Sequence, residues 1–94
     1  MIFSNFLELI DNLNENLHFY IRIEQQTFPL SKITVAHNEF LANPGKRSMT
    51  KKQIVQLFGK MHQRGLTLRI DNDGQKLPVY GLQISIEKGT ATLM

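Results

Sequence analysis

The chain has no cysteine in 94 residues. Without thiols there is neither a disulfide framework nor a thiolate metal centre, so the fold must stand on packing alone. Basic residues are missing from the start: none precedes Arg22. Met1–Phe6 therefore lacks the charged leader of a secretory signal, and Asp11 and Glu15 interrupt any apolar stretch behind it. Long apolar runs are also missing, and none approaches the roughly 20 residues of a membrane helix. These absences lead to the expectation of a soluble, cytoplasmic protein. The length excludes a two-domain enzyme and a doubly wound nucleotide-binding fold, leaving one domain over residues 1–94. With 41% hydrophobic and 20% charged residues, the composition is that of a globular chain.

What is present is unevenly charged. Residues 1–31 carry Glu8, Asp11, Glu15 and Glu24 against Arg22, for −3. Residues 32–65 carry Lys32, Lys46, Arg47, Lys51, Lys52, Lys60 and Arg64 against Glu39, for +6. Residues 66–94 balance, giving the net +3. One basic pole on the surface suits an anionic partner, or serves solubility alone.

Apolar spacing predicts two helices. Phe6, Leu9, Ile10 and Leu13 form a stripe over about Ser4–Asn14, and Ile54, Leu57, Phe58 and Met61 repeat it over about Lys51–Arg64. Thr50 and Gln53 read as a capping box. Gly65 reads as the left-handed stop, and Gly59 as a place where another element comes close. Each helix precedes an alternating strand: Leu17, Phe19, Ile21 and Ile23, then Leu66, Leu68 and Ile70. Turns at Gln25–Thr27 and Asn72–Gln75 lead to Phe28-Pro29-Leu30 and Leu77-Pro78-Val79, where each proline suggests a strand start or an edge. Further strands hold Ile33 and Val35, and Leu82, Ile84 and Ile86. The apolar parity slips near Ser31 and near Gly81, as a bulge would make it do.

The chain thus reads as two similar halves, about residues 4–37 and 50–87, matched at drifting offsets of 47 to 49. The expected fold is α+β, in the order α-β-β-α-β-β. Its sheet is four-stranded and mostly antiparallel, with both helices on one face. Asn38–Met49, with Asn43-Pro44-Gly45, reads as a loop, and the tail Lys88–Met94 as adding a short edge strand through Thr90, Thr92 and Met94.

Most chemical motifs fail. Pro44-Gly45-Lys46-Arg47-Ser48 lacks the first glycine of a phosphate loop, since Phe40 stands there. His18, His37 and His62 show no ligand spacing. Ser4, Ser31, Ser48 and Ser85 have no nucleophile-elbow context. No catalytic residue, metal or cofactor is therefore assigned. Two surfaces survive as candidates. Lys46, Arg47, Ser48, Thr50, Lys51 and Lys52 surround the start of the second helix, where each cation costs a few tenths of a kcal/mol and open N–H groups favour an anion. His18, Tyr20, Arg22 and Arg69 lie on the polar sheet face, where bases could stack. Arg22–Glu24 and Arg69–Asp71 could instead pair across strands, or a second subunit could cover that face. The expected function is a non-catalytic interaction or regulatory domain, acting by docking on another protein or by dimerising. The alternative is an RNA- or DNA-binding module using the basic loop. A membrane partner is not expected.

Overall fold

Period-two alternation makes more of this chain strand than the apolar spacing predicts. The computed structural model describes residues 1–61 and 65–94. Its elements are α1 (Phe3–Ile10), β1 (His18–Ile23), β2 (Gln26–Ala36), β3 (Glu39–Pro44), α2 (Lys51–Phe58), β4 (Thr67–Asn72), β5 (Gln75–Pro78), β6 (Leu82–Ser85) and β7 (Thr90–Leu93). Among the described residues the strands form one seven-stranded mixed sheet, in the order β5-β4-β3-β2-β1-β7-β6. The expected four-stranded, mostly antiparallel sheet is therefore wrong. Asn38–Met49 is not all loop, because Phe40 and Ala42 alternate into the core as β3. β3 pairs parallel to β4, and β7 parallel to β1. The C-terminal strand is interior, between β1 and β6, and not at an edge.

The slip near Ser31 is a bulge, and it builds the centre of the fold. Gln26–Pro29 pairs with β1, and the register then shifts between Leu30 and Lys32 as β2 crosses to β3. Residues 48–50 fill the fork between β1 and β2. Met49 N–H donates to the Leu30 carbonyl at 2.7 Å, and Phe19 N–H donates to the Met49 carbonyl at 2.8 Å. Gly45 crosses directly over the bulge, where a Cβ would lie 2.4 Å from Ser31 Cβ. The slip near Gly81 is something else. β5 ends at Pro78 and β6 begins at Leu82, on the opposite edge of the sheet. Val79, Tyr80 and Gly81 alone span the two edges. Since a residue reaches at most about 3.6 Å, the sheet must curl until its edges meet at that corner.

Inside the curl lies the core. Phe3, Phe6 and Ile10 of α1 and Ile54 and Phe58 of α2 are buried with Phe19, Ile21, Leu30, Phe40, Leu68, Ile70 and Leu93. Phe3 stacks on Phe40 at 3.9 Å between ring centres, and Phe58 meets both rings edge-on. Both helices are shorter than expected. Leu9 and Leu57, placed on the core stripes by spacing, are 53% and 63% exposed. Phe3 explains the first, because it draws the buried face of α1 onto the 3–6–10 line. The second follows from length: α2 is a helix of 8 residues and buries only Ile54 and Phe58. Gly59 meets its own Val55 carbonyl as C-cap, not another element. Gly65 takes the left-handed φ of +81°, seven residues beyond the end of α2. His62 lies outside the described residues.

Candidate functional site

The basic loop is built around α2, and much of it serves the chain itself. Thr50 Oγ1 accepts from Gln53 N–H at 3.2 Å, and Gln53 Oε1 accepts from Thr50 N–H at 3.0 Å. This reciprocal pair is the expected capping box. The next two donors are also occupied. Lys51 N–H reaches the Leu17 carbonyl at 2.9 Å, and Lys52 N–H reaches the Glu15 carbonyl at 3.0 Å. The N–H groups expected to receive an anion are thus satisfied by the segment that follows α1. The Lys51 ammonium is engaged as well, donating to the Asp11 and Leu13 carbonyls at 2.8 and 2.9 Å. Ser48 Oγ lies 2.8 Å from His18 Nδ1. Lys46, Arg47 and Lys52 stand exposed in solvent.

The polar sheet face is divided. His18, Tyr20 and Arg22 project from β1 on the face opposite the core. Tyr20 and Arg22 line a shallow groove of about 350 Å³ with Thr27, Gln83, Ser85, Lys88, Thr90 and Thr92. Arg69 is not with them, because β2 and β3 separate β4 from β1. Its partner is Glu39 on neighbouring β3, with Nε 3.3 Å from Oε1, while Lys76 Nζ sits 2.6 Å from Oε2. Asp71 is not its partner. That carboxylate accepts from Gly74 N–H at 3.0 Å and closes the β4–β5 turn. Among the described residues no group of three or more His, Asp or Glu side chains is placed to hold a metal ion.

A third surface was not singled out from the sequence. The strand containing Leu82 and Ile84 is the open edge of the sheet. Gly81 and Met94 exchange both backbone hydrogen bonds, at 3.1 Å each. In the register Leu82↔Leu93, Gln83↔Thr92, Ile84↔Ala91, bonded and non-bonded pairs alternate. Gln83 and Ser85 therefore bond to β7, and Leu82 and Ile84 turn their N–H and C=O groups outward. The opposite edge is β5, where Lys76 and Pro78 guard against pairing. β6 reads Leu-Gln-Ile-Ser and has no such guard. Beside it, Ile84 and Ile86 line a cavity of about 430 Å³ with Leu13 and Leu17. At the other end of the strand, Tyr80 and Leu9 share a second hollow with Glu8. Tyr80 and Ile86 are the most exposed large apolar side chains in the chain, at 85% and 90%. The sequence signal for this edge is uncharged alternation, Leu82-Gln83-Ile84-Ser85-Ile86.

Comparison with protein-family models, with curated proteins and with solved structures finds no match to this chain. Among the described residues no helix is long and apolar enough to cross a membrane.

Proposed function

We propose that this protein is a non-catalytic interaction module that docks a strand of another polypeptide, a partner or a second copy, along β6. The observation that carries the reading is the open row of backbone groups at Leu82 and Ile84, flanked by exposed Tyr80, Ile84 and Ile86. A strand added there satisfies main-chain donors and acceptors, and its alternate side chains enter the apolar hollows beside Leu13 and Leu9. A cytoplasmic location belongs to the same reading, in line with the lack of cysteine. A photoreactive phenylalanine analogue in place of Ile86, in living cells, tests it. The expected product is a light-dependent protein adduct that the same analogue at Arg47 does not form. A nucleic-acid adduct from position 47, with none from position 86, would overturn it.

One observation favours a second reading, binding of RNA or DNA. Lys46, Arg47 and Lys52 are exposed at one end of α2, and Arg22 and Lys88 share the polar groove. Such a surface would act through side-chain cations and give a salt slope of about one per phosphate contacted.

A further inference from the structure

Resting on the β6 reading, we infer that the strand docked on β6 is β6 of a second copy, antiparallel about a two-fold axis through Gln83. The register follows from which groups face outward. In an antiparallel pair, residues directly opposite must both turn their backbone groups toward the partner, or both turn them away. Only Leu82 and Ile84 within β6 offer outward groups. Setting Leu82 opposite Ile84 of the second copy satisfies all of them, in two reciprocal pairs, and uses no residue outside β6. Any register that sets Ile84 opposite Gln83 leaves a donor facing a strand that has turned away.

The side chains support the same register. Leu82 and Ile84 share the core-side face of the sheet, because their β7 partners Leu93 and Ala91 are buried. Leu82 then meets Ile84 of the other copy on that face. Beyond β6 the ladder stops, because Tyr80 N–H donates to the Met94 carbonyl at 2.7 Å and the Ile86 carbonyl accepts from Gly89 N–H at 3.2 Å. Tyr80 and Ile86, the large apolar side chains that the single chain leaves most exposed, flank the two ends of β6 and add apolar surface beside the paired strands. On the outer face Gln83 meets Gln83, amide to amide, and Ser85 meets Gly81. No charge stands opposite a like charge anywhere from Tyr80 to Ile86. A two-fold interface requires such self-complementarity, and an unrelated strand would have to match it by chance.

The absence of native cysteine makes the register directly measurable. At the axis the two Gln83 residues form a non-bonded pair with Cα atoms about 4.5 Å apart, inside the range a disulfide spans. The two Ser85 residues fall four positions out of register, about 14 Å apart and too far to bridge. Gln83→Cys replaces an exposed outer-face side chain and should melt as the parent does, whereas Ser85→Cys also loses the hydroxyl that accepts from Lys88 N–H at 3.3 Å in an exposed turn and should melt slightly lower while remaining folded. Under mild oxidation in a dilution series, Gln83→Cys is expected to form a covalent dimer at least about tenfold faster than Ser85→Cys, since only its sulfurs are held within bridging distance. Adding Ile84→Lys to Gln83→Cys should abolish that advantage, because a lysine at the pairing face blocks the edge. Equal rates for the two cysteine variants would overturn the second copy as occupant. If position 86 then still crosslinked to a different protein, the docking reading itself would stand. Failure of both tests would remove both.

Discussion

Lys51 separates the structural part of the basic cluster from the rest, and Lys51→Met is the substitution that shows it. The ammonium donates to the Asp11 and Leu13 carbonyls, at 2.8 and 2.9 Å. Those carbonyls lie just beyond α1, where helix carbonyls lack partners and the dipole is negative. A hydrogen bond to a charged group contributes about 1.5–3 kcal/mol net when buried. Here the Asp11 contact is exposed and the Leu13 contact only partly buried, so the lower end applies. Methionine keeps the apolar stem and removes the charge and the donors. We expect Lys51→Met to lower stability by about 1–2 kcal/mol, seen as a lower urea midpoint at unchanged slope. Lys52→Met, at an exposed neighbour on the same turn, should stay within about 0.5 kcal/mol of the parent. A reading based on helix-dipole repulsion alone has the opposite sign, with every lysine removed near α2 bringing a small gain. If Lys51→Met matched Lys52→Met, the clamp between α1 and α2 would be refuted.

Three further pairs of substitutions test the packing. Phe58→Ala should cost about 3–5 kcal/mol because Phe58 is buried against Phe3 and Phe40, whereas Leu57→Ala should change the unfolding midpoint little. Thr50→Ala should cost about 1 kcal/mol through loss of the capping box, and Ser48→Ala less than half of that; a larger loss at Ser48 would mean that the fork depends on its contact with His18. Gly45→Ala forces a methyl group against Ser31 and should cost about 1–3 kcal/mol; in a Ser31→Gly background the same change should cost less, and an equal cost would place the strain elsewhere.

Local pattern was legible wherever a single face of a single element decided it. Alternation at Phe19–Ile23 and Leu68–Ile70 located β1 and β4, Thr50-x-x-Gln53 located the start of α2, and the parity slip at Ser31 located the bulge. β3 was lost because Asn43-Pro44-Gly45 signals a turn, while Ala42 signals burial only weakly. Pro44 is tolerated there as the last residue of β3, beside the bulge that already disturbs the ladder. β7 pairs in parallel with a strand some 70 positions away (His18↔Thr90), and nothing local encodes such a contact. The candidate site was hidden for the same reason. The alternation of β6 is visible in the sequence, but its place at the edge depends on β7 entering between it and β1. Lys51 looked like its basic neighbours because the carbonyls it binds lie 38 and 40 positions away.

Amide hydrogen exchange at four successive residues of β6, resolved by NMR over a range of protein concentrations, tests the open edge most directly. The account predicts that in dilute protein Leu82 and Ile84 exchange fast, while Gln83 and Ser85, bonded to β7, exchange slowly. As concentration rises, Leu82 and Ile84 should slow together and the other two should change little. Slow exchange at Leu82 and Ile84 already in dilute protein would mean that the edge is covered within the chain, and would contradict the account.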